Sequence, residues 1–276
     1  MTDCGLTEEL AKLWRNHQQA VASLAATLKD IDHQPATSVP KISDVADIHE
    51  LYEEAVQSPE DDIIFFRLTF LELRGRHPLV MKEDFCGTSL ICCEWVELSP
   101  EHKAVGVDLD KDTLQWGATH NIKKLAPEAA QRVMLINDDV LNVRDPKVDF
   151  ICALNYSFFV FKTRALMRQY FEAAYASLVD DGIFFAELFG GSETMCVQKD
   201  EPREFDSFTY EWEQAAFNPA THDMTCHINF YFPDGSKIAP AFTYDWRFWT
   251  PPEIKELMLE AGFRETRLLN VVMNLH

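Results

Sequence analysis

Positive charge is scarce in this sequence. Its 276 residues include 25 Lys and Arg against 45 Asp and Glu, a formal net charge of −20. A nucleic-acid face must neutralise phosphates with basic side chains, so nucleic acid is not expected as the main partner. An anionic membrane surface is disfavoured for the same reason. Paired cysteine motifs are missing too. The seven cysteines (Cys4, Cys86, Cys92, Cys93, Cys152, Cys196 and Cys226) are odd in number and form no C-x-x-C, and several sit inside apolar runs. That pattern predicts reduced, buried thiols in a soluble cytoplasmic protein rather than a disulfide framework. The uncharged run Phe150–Phe161 is too short to span a bilayer as a helix. The acidic start Met-Thr-Asp-Cys lacks the basic and apolar regions of a secretory signal, so none is expected. No G-x-x-x-x-G-K-[ST] or G-x-G-x-x-G loop is present to cradle phosphates. No G-x-S-x-G elbow is present for a serine nucleophile. Hydrophobic residues make up 47% of the chain, which rules out disorder. At this length one large or two small domains can bury a core without metal or disulfide staples.

Apolar residues at helical spacing over 7–30 (Leu10, Leu13, Trp14, Val21, Leu24, Leu28) predict an amphipathic helix. Two more helices are expected over 44–76. The second starts after Ser58-Pro59, with Glu60, Asp61 and Asp62 in its first turn. Residues 78–190 alternate short apolar runs with helical segments. The runs begin at Leu79, Ala104, Val133, Val148 and Ile183, with helices near 88–98, 111–125 and 163–179. Such alternation predicts a parallel sheet covered on both faces. Residues 205–248 read as about three antiparallel strands, with a turn at Pro233-Asp234-Gly235-Ser236. Thr250-Pro251-Pro252-Glu253 is a helix start, Gly262 a helix end, and Phe263–Val272 an expected final strand. The fold class is therefore α/β, a Rossmann-like doubly wound and mostly parallel sheet. Residues 1–77 are expected as a helical extension. Residues 78–276 form the main domain, with a β-rich insertion at about 195–249 as a substrate lid.

Open α/β sheets bind ligands at the carboxyl ends of their strands, near the switch point. Strand one ends in Glu83-Asp84-Phe85-Cys86-Gly87-Thr88-Ser89, a turn that lets backbone approach a ligand ahead of a helix N-terminus. Strand two ends in Asp108-Leu109, with Asp108 placed 21 residues past Gly87. That spacing suits a carboxylate on ribose hydroxyls. Strand three ends in Asn137-Asp138-Asp139-Val140, and strand four in Asn155-Tyr156-Ser157. Taken singly, Gly87 is a turn, Asp108 a helix N-cap and Asp138-Asp139 a solvated loop. Their joint occurrence, in order and at strand ends, points to a nucleoside without phosphates. His222, Cys226 and His227 invite a metal, but no second ligand pair lies nearby in sequence, and no metal is expected.

These residues resemble the first motifs of the class I S-adenosylmethionine-dependent methyltransferases, in a branch whose first motif reads Glu-Asp-Phe-Cys-Gly-Thr. The resemblance covers about 79–190 and implies a Rossmann-like fold with S-adenosylmethionine as cofactor and S-adenosylhomocysteine as product. It implies a cofactor site of Glu83, Asp84, Phe85, Cys86, Gly87, Thr88, Asp108, Leu109, Asp138, Asp139, Val140 and Asn155. Glu83 would stand near the methionine amino group, Asp108 on the ribose and Asp139-Val140 at the adenine edge. Phe85 and Ser89 stand where the family usually has glycine, so the turn is expected to be less open. Tyr52, on the segment before the core, would fold over the cofactor.

The insertion after the fifth strand resembles the lid of small-molecule N-methyltransferases, so a small-molecule N or O acceptor is expected. Alternatives are a protein methyltransferase and a cofactor-binding protein without catalysis. The candidate aromatic groups for holding a cation are Tyr52, Phe85, Trp116 and Tyr156. The candidate proton acceptors are His49, His120, Tyr156, Tyr244 and Asp245, and spacing does not choose among them. The expected assembly is a monomer or homodimer.

Overall fold

A computed structural model describes residues 39–269 apart from 192 and 201, together with 12, 17–21 and 23. Most of the expected helix over 7–30 lies outside the described residues. After a single helical turn at Ile42–Val45 come helices α1 (Ile48–Val56) and α2 (Pro59–Arg74). Asp47 caps α1 by accepting the His49 and Glu50 amides. Proline opens α2, three acids occupy its first turn, and Gly75 ends it in the left-handed region. Both helices match the expectation over 44–76.

Five strands follow: β1 (Val80–Asp84), β2 (Lys103–Asp108), β3 (Val133–Asn137), β4 (Val148–Ala153) and β5 (Leu178–Ala186). They form one parallel sheet in the order β3-β2-β1-β4-β5. Helices α3 (Leu90–Glu97), α4 (Lys111–His120) and α5 (Arg164–Ser177) connect them. The order reverses between β1 and β4, so the crevice of the fold opens at the tips of those two strands. One core holds Val105, Val107, Ile151, Tyr170 and Phe171, and a second holds Phe66, Phe70, Met81, Trp95 and Phe150. The near-continuous apolar runs of the strands are what burial on two faces requires.

A second sheet is antiparallel, in the order β10-β9-β8-β6 with β7 beside β8. Its long strands are β8 (Thr209–Phe217), β9 (Asp223–Tyr231) and β10 (Lys237–Arg247). The short β6 (Gln198–Lys199) and β7 (Arg203–Glu204) pair onto β8. Period-two alternation puts Phe208, Tyr210 and Trp212 on its inner face, while Glu211 and Glu213 meet Lys199 outside. One end of the inner face packs on Leu51 and Ala55 of α1. The other end, with Met224, Cys226 and Trp246, joins the parallel-sheet core. The turn after β9 is tied to the chain entering α1, because Asp234 accepts the Ile42 amide at 2.9 Å.

Helix α6 (Pro251–Glu260) begins with the expected capping box, Thr250 and Glu253 bonding reciprocally. The expected final strand is a correction. Residues 263–269 carry no strand. Gly262 turns the chain at φ 112°, and Phe263 is drawn onto Tyr175 and Phe184, where it caps the end of α5. Among the described residues, no helix is long and apolar enough to cross a membrane.

Candidate functional site

The loop after β1 has three residues in the left-handed region, Phe85 (φ 60°), Gly87 (φ 52°) and Ser89 (φ 61°). Only Gly87 adopts this conformation without steric cost. Phe85 is held there by its ring, which packs on Phe161 and Tyr170. Ser89 is fully buried, with Oγ bonded to Cys86 Sγ at 3.4 Å. The loop therefore takes a path suited to three glycines while two side chains anchor it in the core. The expectation of a less open turn is corrected to this extent: the left-handed positions persist, and the substituted side chains point into protein. Gly117 of α4 lets the loop sit close, since a Cβ there would lie 2.2 Å from the Thr88 carbonyl oxygen.

Asp108 at the tip of β2 accepts the Gly87 amide at 2.8 Å through Oδ2 and the Asp110 amide at 2.8 Å through Oδ1. The N-cap of α4 is Asp110, which accepts the Asp112 and Thr113 amides. Asp108 is thus spared from capping, and each of its oxygens has accepting capacity beyond these amides. Next to it Leu109 is 71% exposed, an apolar side chain left open at a strand tip. At the tip of β3, Asp138 is exposed and Asp139 half-buried, and they shape their own turn, accepting the Asp139 and Leu141 amides respectively. The Val140 side chain is buried in the core.

Glu83 is 3% exposed and accepts the Cys92 thiol at 3.2 Å. Burial pushes its carboxyl up to about 8, and the nearby Asp108 and Asp62 add to the rise. Burial likewise raises Asp108, and Glu187 at the tip of β5. Asp62 is pushed up to about 7 by burial and by Glu187. None of the ion pairs among the described residues includes Glu83, Asp62, Asp108 or Glu187. A crevice with several half-buried, uncompensated carboxylates is complementary to a cation.

Other expected residues divide. Asp84 faces the opposite side of β1, where it pairs with Lys82 at 3.1 Å and receives the Tyr170 hydroxyl at 3.1 Å. Its carboxylate is consumed inside the core because successive strand residues alternate faces. Cys86 is buried against Gly106. Thr88 is buried with its hydroxyl unpartnered, and its carbonyl accepts from Asn121 at 3.1 Å. The structure brings Tyr52, Tyr156 and Tyr244 to one region: Tyr52 and Tyr244 pack on the core beneath the antiparallel sheet, and Tyr244 and Tyr156 both pack on the parallel-sheet core, with Glu187 near Tyr156. His120 is not brought there. It stacks on Trp116 at 4.1 Å, with Nδ1 on the Trp116 carbonyl. His49 also packs on Trp116, and Asp245 pairs with Lys162 on the outer side. His227 faces Thr243, whereas Cys226 is buried.

Glu187 and Asp62 escaped sequence reasoning as site residues. Glu187 carried a usable signal, since it directly follows the apolar run of β5, as Asp108 ends that of β2.

No family model matches the sequence, and no curated protein is similar to it. Solved structures do match. One is the sugar N-methyltransferase KedS8 from Streptoalloteichus sp ATCC 53650, 15% identical, covering 83% of this chain and 87% of that one with a TM-score of 0.57. Another is CalS10, an amino pentose methyltransferase from Micromonospora echinaspora, 15% identical over 83% and 91% of the two chains, TM-score 0.59. A third is an S-adenosylmethionine-dependent methyltransferase from Clostridium acetobutylicum ATCC 824, 18% identical over 77% and 85%, TM-score 0.56. Strand order, crevice and these likenesses agree that the chain has the fold of the class I S-adenosylmethionine-dependent methyltransferases.

Proposed function

We propose that this chain is an S-adenosylmethionine-dependent methyltransferase, of the EC 2.1.1 class, acting on a small-molecule N or O acceptor. The observation that carries the reading is the convergence of uncompensated Glu83, Asp108 and Glu187 at the tips of β1, β2 and β5, around the switch point. The residues fit the cofactor. Asp108 has lone pairs left for ribose hydroxyls, Leu109 offers an open apolar face to adenine, and Glu83 complements a methionine ammonium. Asp138 and Asp139 border the adenine edge, where Val140 contributes backbone only. Phe85, Gly87, Thr88 and Ser89 supply the turn, and its left-handed path supports our placing the chain in the branch with the Glu-Asp-Phe-Cys-Gly-Thr motif. The small-molecule acceptor is supported by the inward aromatic face of the antiparallel sheet and by the likeness to a sugar and an amino pentose methyltransferase.

Bound S-adenosylmethionine would supply an electrophilic methyl on a sulfonium, transferred by in-line displacement with loss of charge. The chain contributes position and environment. The Asp108–Gly87 clamp fixes the β1 loop against β2, so the nucleoside site is pre-organised. Tyr52, reaching from α1 to Tyr244 of β10, closes the crevice between the two sheets and excludes water. Residues 195–249 act in this reading as a lid over the acceptor.

Calorimetric titration of the purified chain with S-adenosylmethionine and S-adenosylhomocysteine tests the proposal. One saturable site for both is expected. Absence of binding by either rejects it.

A further inference from the structure

Four elements distant in sequence deliver tyrosines to one place: Tyr52 from α1, Tyr156 after β4, Tyr210 from β8 and Tyr244 from β10. Tyr244 stacks on Trp246 at 4.4 Å, and Tyr156 meets Phe189 at 5.1 Å and Trp246 at 6.3 Å. Trp212 packs between Tyr244 and Phe189. Its indole Nε1 is buried without a partner, a donor waiting for an acceptor oxygen.

One carboxylate belongs to this cage. Glu187 accepts the Asn155 amide at 2.6 Å and engages the Tyr156 side chain. Asn155 and Tyr156 are both left-handed, at φ 50° and 57°. Asparagine tolerates that region, whereas a tyrosine there is strained, and such strain persists mostly where function requires it. The result here is a strand tip folded so that Glu187 and the Tyr156 ring face the same space. No cation neutralises Glu187 among the described residues. The guanidinium that reaches the cluster, Arg203, lies over the Tyr210 ring at 4.4 Å and donates to the Ala55 carbonyl at 2.9 Å.

We propose that Glu187 binds and deprotonates a small cationic amine acceptor held in the cage of Tyr52, Tyr156, Tyr210 and Tyr244. The inference rests on the methyltransferase reading and narrows its acceptor from N or O to a primary or secondary amine. Aromatic faces attract an ammonium, and a desolvated carboxylate orients it. Burial raises the proton affinity of Glu187 and lowers that of a buried ammonium, which brings the two towards a match. An alcohol is too weak an acid to give its proton to a carboxylate, so the same group serves it poorly.

The step balances. The ammonium gives one proton to Glu187, leaving a nitrogen lone pair. That nitrogen bonds the methyl carbon as the carbon–sulfur bond breaks, its electron pair going to sulfur. The product is a methylated ammonium with neutral S-adenosylhomocysteine, and Glu187 then releases its proton to water.

Sinefungin tests this without knowledge of the acceptor, because it carries an ammonium-bearing carbon where the methyl sulfonium would be, whereas S-adenosylhomocysteine has no charge there. Both are titrated calorimetrically into the wild type and Glu187→Gln, whose amide oxygen still accepts from Asn155. The wild type is expected to prefer sinefungin. Glu187→Gln is expected to reduce that preference by about tenfold or more, the scale of one hydrogen bond to charge, while S-adenosylhomocysteine affinity holds. An unchanged preference overturns the role of Glu187. If the variant does not fold, the wild type decides: no preference for sinefungin anywhere between about pH 6 and 9 overturns it. A wild type that binds neither compound overturns the methyltransferase reading itself.

Discussion

Asp108 Oδ2 accepts the Gly87 amide at 2.8 Å, joining the tips of β1 and β2 across 21 residues. The bond holds the left-handed Gly87 in register with the second strand, so Asp108 both builds the loop and faces what the loop would hold.

Asp108→Ala removes the clamp and a charged acceptor together. Affinity for S-adenosylhomocysteine should fall by about 1.5–3 kcal/mol, read by calorimetric titration. Asp139→Ala should cost less, since its carboxylate is engaged in its own turn. Equal affinities for wild type and Asp108→Ala would remove Asp108 from the nucleoside site.

Ser89 is left-handed and buried, with a weak bond to Cys86 as its side-chain partner. Ser89→Gly should leave stability level or raise it by up to about 1 kcal/mol in urea unfolding, because glycine relieves the strain. Ser89→Val should destabilise, since a β-branched residue resists this conformation. The reverse ranking would contradict the strained-loop account.

Gly117→Ala would place a methyl 2.2 Å from a backbone oxygen of the Thr88 segment. Backbone cannot rotate aside as a side chain can. A loss of about 1–3 kcal/mol in stability is expected, with weaker cofactor binding from the displaced loop. A variant of wild-type melting temperature and affinity would show that the approach of α4 to the loop does not matter.

Glu83 has a folded-state pKa of about 8, above its unfolded value, so the native chain holds the extra proton. Stability of the free protein should therefore fall as pH rises from about 4.5 to 8, with Asp62, near 7, adding to the slope. A bound cation favours the ionised form, so S-adenosylmethionine should bind more tightly as pH rises through the same window. Melting temperatures with and without ligand across that range check both signs, and Glu83→Gln should flatten the free-protein slope. Stability that rises with pH across this window would contradict the buried, uncompensated Glu83.

Much of the parallel sheet was legible because strands buried on both faces need continuous apolar runs, and the runs from Leu79 to Ile183 are separated by helical spacing. Asp108 followed from the fold rule and its spacing, whereas Glu83 was set apart from its neighbours at the strand end only by the family resemblance. Strand alternation sets the Asp84 side chain opposite Glu83, on Lys82 of its own strand and on Tyr170, 86 residues away. The tyrosine cage was not legible as a cage. Tyr52 and Tyr244 are brought together only by α1 packing on the antiparallel sheet, a contact that no local pattern encodes. Phe85 and Ser89 looked like departures from a glycine turn because propensity is local, whereas the core contacts that hold Phe85 left-handed are not.

The most direct measurement is a crystal structure of the chain with S-adenosylhomocysteine. It should show the ribose hydroxyls on Asp108, the amino group toward Glu83, and the sulfur facing the Tyr156–Glu187 side of the crevice. A nucleoside found elsewhere, or a crevice between β1 and β4 that the compound leaves empty at saturating concentration, would contradict the account.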